Sequence, residues 1–165
     1  MDTSINQPNI LPQKTSPKDV FLHLLAIIAL YITAGTFISL IFSYITVLFP
    51  DQLDGYSVSS LYDSMRFSIA TLIVTLPVFM GTTRFLNKQY MTMPSLRNLR
   101  IRKWLVYFTL FATALIVMGD LVYLIYSLLK GDITIRFLLK VITVLFVAGS
   151  IFWYYYVDLK IHKID

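Results

Sequence analysis

The charges of this 165-residue chain are gathered into short segments, and long stretches between them carry none. Residues 20–50 run for 31 positions without Asp, Glu, Lys or Arg, and 67–83 and 141–157 are uncharged runs of 17. Residues 104–129, another 26, hold a single charge, Asp120. A hydrocarbon core ~30 Å thick is crossed by ~20 helical residues. Inside it every backbone N–H and C=O must be satisfied within the segment, so such runs become helices. A helix on the surface of a soluble domain would break them with a polar face. Charged residues make up 14% of the chain, against ~25% in an average soluble domain. The abundance of Leu, Ile, Val and Phe also excludes a disordered polymer. The expected fold class is all-α: a polytopic membrane protein with four transmembrane helices in an antiparallel bundle.

The spans are expected at about 20–49, 58–86, 104–129 and 134–156. Residues 1–15 form a flexible cytoplasmic tail, 16–160 the four-helix transmembrane domain and 161–165 a cytoplasmic C-terminal tail. The polar start and the length of the first run argue against a cleaved signal peptide. Ser16-Pro17-Lys18-Asp19 reads as a helix start, with Ser at the N-cap, Pro in the first turn and an acid beside it. Pro50-Asp51-Gln52-Leu53-Asp54-Gly55 ends the first span. Pro77 removes a backbone donor inside the second and is expected to kink it. Gly131 is placed to cap the third helix at its C-terminus.

Orientation follows the distribution of Lys and Arg. The N-tail (Lys14, Lys18), the loop at 84–103 (Arg84, Lys88, Arg97, Arg100, Arg102, Lys103) and the C-tail (Lys160, Lys163) together hold ten. The opposite side holds four: Arg66, Lys130, Arg136 and Lys140. Both termini and the basic loop are therefore expected on the cytoplasmic side of the inner membrane. Trp104, Tyr107 and the aromatic run 153–156 fall at that same interface, as an aromatic belt does.

Several chemistries are excluded by composition. There is no cysteine and no glutamate, so thiol chemistry, disulfides and thiolate metal sites are absent. His23 and His162 are too few for a three-histidine zinc site, and their interfacial positions do not suit an axial haem pair. The six glycines are too far apart for a phosphate-cradling loop. No cofactor or metal and no catalytic residue is expected, and the net charge of +5 fits loops facing anionic lipid rather than nucleic acid.

The charges within the spans call for an explanation. Asp120 lies ~14 Å from the outer end of the third span, and an unpaired acid there costs at least ~2.5 kcal/mol. Arg66 and Lys140 fall ~12 Å and ~9 Å from the same face. Asp63 precedes Arg66 by one turn, and Arg136 precedes Lys140. The expectation is a buried polar cluster of Asp63, Arg66, Asp120, Arg136 and Lys140, structural or used in transport, with Arg66 bridging Asp63 and Asp120. Hydroxyl stripes accompany it: Thr36, Ser39, Ser43 and Thr46; Thr109, Thr113 and Ser127; Thr143 and Ser150. They read as packing seams more readily than as the lining of a wet pore.

Several blocks mix charged and apolar residues in a fixed order. They are Pro17-Lys18-Asp19 ahead of Phe21-Leu22-His23-Leu24-Leu25, Val47-Leu48-Phe49-Pro50-Asp51, and Arg66 with Pro77. Arg100-Ile101-Arg102-Lys103-Trp104-Leu105 and Gly119-Asp120-Leu121 follow, then Gly131-Asp132-Ile133-Thr134-Ile135-Arg136-Phe137-Leu138-Leu139-Lys140-Val141 and Asp158-Leu159. On these blocks the chain resembles an uncharacterised bacterial family of small four-helix integral membrane proteins, a domain of unknown function, over most of 17–159. The resemblance implies a fold and a membrane location and no established activity. The expected role is a non-enzymatic scaffold or partner-interacting subunit, the alternative a small ion, proton or solute transport component. The expected partners are the lipid bilayer and either another membrane protein or a second copy of the chain.

The ten-to-four asymmetry makes the topology testable. A reporter active only in the periplasm, fused after Lys163, gives no signal if both ends are inside. A strong signal there rejects the orientation.

Overall fold

The computed structural model describes residues 16–50, 57–92, 100–131 and 134–162. They form four α-helices: α1 (Pro17–Leu48), α2 (Val58–Thr92), α3 (Arg100–Lys130) and α4 (Ile135–His162). Each is long and apolar enough to cross a membrane. The expected tail at 1–15, the stop at 51–55, Arg97, Asp132 and residues 163–165 lie outside the described residues.

The helices outrun the apolar stretches that announce them. α2 continues to Thr92 and α3 begins at Arg100, so most of the stretch read as a basic loop is helical. Arg84 and Lys88 stand on the last turns of α2, while Arg100, Arg102 and Lys103 stand on the first turn of α3. Loss of apolar character marks the edge of a hydrocarbon layer, whereas a helix ends where its hydrogen-bond ladder does. Helices in this class commonly project past the layer.

The ends follow local chemistry. Ser16 occupies the N-cap of α1 with Pro17 next to it, but its side chain makes no capping bond; its carbonyl accepts from Asp19 N (3.0 Å). Thr134 caps α4 with its hydroxyl, accepting from Phe137 N at 3.1 Å. Gly131 closes α3 at φ +79°, a conformation that favours glycine. Pro77 sits inside α2, whose helix is continuous through it.

Packing is carried by α1. It lies against α2 along its length and also meets α4 and α3; α3 and α4 pair with each other, while the backbones of α2 and α3 do not approach. His23, near the start of α1, meets Tyr90 near the end of α2, and Ser43, near the end of α1, meets Ser64 near the start of α2. Small residues are prominent among the buried ones (Ala26, Ala29, Ser43, Ser68, Thr82, Thr109, Thr113, Ser127 and Ala148), beside Ile27, Ile45, Leu86, Leu105, Val106 and Val141. The largest side chains with essentially no exposure are Thr109 and Thr113. Phe67, Phe111, Leu129, Phe146 and many other large apolar groups face outward. This inverts a water-soluble core. It matches helices in lipid, where large apolar side chains gain nothing by leaving the solvent and small ones let backbones approach.

The hydroxyl stripes serve this packing. Thr109 donates to Leu105 O (2.9 Å), Thr113 to Thr109 O (2.9 Å), Thr82 to Val78 O (2.8 Å) and Thr143 to Leu139 O (2.8 Å). Each hydroxyl is satisfied one turn back on its own helix and asks for no water. Thr113→Val should therefore shift the stability of the detergent-solubilised protein by less than about 1 kcal/mol. Thr113→Leu, which overfills the seam, should cost about 1–3 kcal/mol. Unfolding curves in mixed micelles measure both, and equal losses would mean that the hydroxyl rather than the volume matters.

Candidate functional site

One end of the bundle gathers a polar residue from every helix: His23 from α1, Tyr90 from α2, Arg102 from α3 and Asp158 from α4. His23 is buried. Its Nδ1 lies 2.6 Å from the carbonyl oxygen of Asp19 and its Nε2 lies 2.5 Å from the Tyr90 hydroxyl. A carbonyl only accepts, so Nδ1 carries the proton and donates; in the neutral ring Nε2 then accepts from Tyr90. The other face of the arrangement belongs to Arg102, whose guanidinium carbon sits 5.0 Å from the centre of the Tyr90 ring. Arg102 also donates to Asp158 Oδ2 at 2.5 Å, and its side chain is only 8% exposed.

The order of contacts is thus Asp19 carbonyl, imidazole, phenol, guanidinium, carboxylate. His23–Tyr90 joins α1 to α2, Arg102 over Tyr90 joins α3 to α2, and Arg102–Asp158 joins α3 to α4. The members surround a cavity of about 80 Å³ that Tyr154 and Tyr155 also line. Chemically the set can hold a proton in a fixed place and hold four helix ends together. Among the described residues no group of three metal-ligating side chains exists.

The opposite end carries part of the expected cluster. Arg136 donates to Thr46 Oγ1 at 3.3 Å, and Lys140 Nζ lies 5.5 Å from the centre of the Phe42 ring. Both line a cavity of about 370 Å³ with Ser39, Ser43 and Thr46 of α1. Asp63 and Arg66 pair with each other at 3.0 Å on the outside of α2, with side chains 70% and 79% exposed. The expected bridge from Arg66 to Asp120 is not formed among the described residues. Asp120 is partly exposed, and its Oδ2 is buried without a hydrogen-bond partner. The structure therefore brings Arg136 and Lys140 together, keeps Asp63 with Arg66, and leaves Asp120 apart from both. The reason is lateral: α2 and α3 are not neighbours, so equal depth does not bring Arg66 to Asp120.

Sequence reasoning did not pick out the four-helix tie. The charge pattern makes Arg102 one cation among six in the 84–103 loop and His23 an ordinary interfacial residue. A usable signal was there: Asp19 and Asp158 are the acids at the helix ends on the side holding most of the cations. Of the basic residues, Arg84 and Lys88 are exposed on α2, Arg102 is buried, Lys103 is half-buried, Arg100 opens α3 and Arg97 lies outside the described residues.

A family model described as a domain of unknown function, DUF5671, matches residues 19–155, and the chain belongs to that family. No curated protein and no solved structure matches it. The match includes His23, Tyr90 and Arg102 and stops short of Asp158.

The tie predicts coupling. Arg102→Gln or Asp158→Asn alone leaves one charge of a half-buried pair without its partner and should lower stability by up to about 3 kcal/mol. The double replacement should recover much of that loss. Arg66→Leu and Asp120→Asn, which share no contact, should add within about 0.5 kcal/mol. Double-mutant cycles on the melting of purified protein decide both; additivity at Arg102 and Asp158 would remove the pair from the account.

Proposed function

We propose that the chain is a non-enzymatic, multi-pass protein of the cytoplasmic membrane. In this reading it is an antiparallel bundle with both ends inside, whose role is to engage another membrane subunit. The lysine and arginine distribution supports the orientation: it puts the His23, Tyr90, Arg102 and Asp158 tie at the cytoplasmic end. That tie spends its hydrogen-bonding groups on one another and leaves the bundle end braced. A scaffold needs such a fixed frame.

The single observation that carries partner engagement is Asp120. It is the lone charge in the apolar stretch of α3, it is partly exposed, and its Oδ2 has no hydrogen-bond partner. A carboxyl in hydrocarbon without a donor is costly, and polar groups in such helices ordinarily find one across a helix interface. A donor on a helix of a second subunit meets the exposed side of Asp120 and supplies what the chain itself lacks once the carboxyl turns Oδ2 outward. Transport is supported less well. The cavity at Arg136 and Lys140 and the tie at His23 stand at opposite ends, and the hydroxyls of Thr109 and Thr113 between them are turned onto their own helix.

A second reading keeps the Arg136 and Lys140 cavity as the mouth of an anion pathway, because two cations on successive turns of α4 face hydroxyls of α1 there.

Replacing Asp120 by Leu separates the readings. For a docking carboxyl, Asp120→Leu should leave the melting temperature of the isolated protein unchanged or raise it, since an unsatisfied polar group is lost. The same variant should abolish cross-linking through α3 to a co-purifying membrane subunit. Lower stability with cross-linking intact overturns the partner reading. An anion flux in proteoliposomes that Lys140→Gln abolishes favours the second.

A further inference from the structure

Because α2 packs on α1 and not on α4, a trough runs between α2 and α4. Its volume is about 400 Å³; Leu30 of α1 floors it, and Phe79 and Met80 of α2 and Ile151 of α4 wall it. Arg84 and Tyr154 also line it, each about one turn closer to the end that carries the polar tie. Lys88, exposed, follows Arg84 by one helical turn, and Lys18 reaches over from α1 with its Nζ 5.7 Å from the Phe85 ring centre. Among the described residues no carboxylate forms an ion pair with Arg84.

An apolar trough open to a bilayer is filled by lipid tails, and that alone is unspecific. The cations change this. Arg84 stands where the trough leaves its apolar walls, and an arginine there is always charged and offers phosphate a two-pronged donor set. Tyr154 is amphipathic in the manner of interfacial aromatics. A partner helix would fit the apolar walls but would have to bring a carboxylate to Arg84. A phospholipid brings tail and anion together, at the spacing the bilayer itself sets.

We propose that the trough between α2 and α4 is a binding site for an anionic phospholipid, with one acyl chain along Phe79, Met80 and Ile151 and the headgroup phosphate on Arg84. Lys88 and Lys18 add to the positive field without contacting the chain. The proposal rests on the membrane-spanning reading above and is independent of whether the protein engages a partner or passes an anion.

The test is native mass spectrometry of the full chain in detergent, titrated with phosphatidylglycerol and with phosphatidylcholine of the same acyl chains. One cation near a lipid surface contributes about fivefold in affinity. Phosphatidylglycerol should therefore be retained roughly fivefold better than phosphatidylcholine. Arg84→Gln should remove most of that preference, Arg84→Lys should keep more of it, and Arg66→Gln at the far end should change nothing. Ser150→Phe, which places a ring in the trough, should weaken both lipids. Glycerol 3-phosphate, the free headgroup chemistry, should not displace the lipid. Equal retention of the two lipids overturns the proposal, as does full preference in Arg84→Gln. Displacement by glycerol 3-phosphate or a protein dimer in place of the lipid adduct does so too. Failure of the membrane reading is distinct: the chain would then fractionate with aqueous protein before any lipid is added.

Discussion

Arg102 is the residue on which the arrangement of the helices turns. It is a long cation held almost out of solvent, and it reaches in two directions at once: to the Asp158 carboxylate and across the face of Tyr90. A buried charge without compensation costs several kcal/mol, so its surroundings must meet it. Asp158 neutralises it and the Tyr90 ring supplies a negative face. Tyr90 is in turn held by His23, whose ring is fixed by the carbonyl of Asp19. Charges so connected cannot shift one at a time. This is also how α2 touches α3, since their backbones do not meet.

Why such a device is needed follows from the rest of the packing. Many large apolar side chains lie outside, and Ala, Ser and Thr make up much of the interior. For a bundle in lipid, as proposed above, the hydrophobic effect does not press helices together, so dispersion across close-packed residues does so, with polar contacts adding direction. Close packing is uniform along a seam and says little about register. A contact that works only with His23 opposite Tyr90 and Arg102 opposite Asp158 fixes how far each helix is slid along its neighbour.

The number and place of the helices were legible because the spacing of charges reports the thickness of an apolar layer directly. The cap at Gly131 was legible because its conformation is local. The pairing of charges was not. Depth gives one coordinate, and Arg66 and Asp120 share it, but pairing also needs neighbouring helices. Chain order makes α2 and α3 consecutive, yet their backbones do not pack, whereas those of α1 and α2 do, and those of α3 and α4 do. Arg102 was hidden for a different reason. Counting cations to find the inner side treats every Lys and Arg alike. A guanidinium that turns inward contributes to the count and then leaves the loop it was counted in.

The two ends of the bundle therefore differ in kind. At the His23 end Arg102 is balanced inside the protein by Asp158, and the exposed cations among the described residues, Lys18, Arg84, Lys88 and Lys160, stand on α1, α2 and α4. At the other end Arg136 and Lys140 stand over hydroxyls and an aromatic ring of α1, beside open volume. The tie at Arg102 resists separation of the helix ends it joins. The apolar trough between α2 and α4 lies toward the tied end, sharing Tyr154 and Tyr155 with the cavity at His23, and there α4 meets α2 only across open volume. Whatever occupies that trough stiffens the one pairing of α2 that the chain leaves to its surroundings.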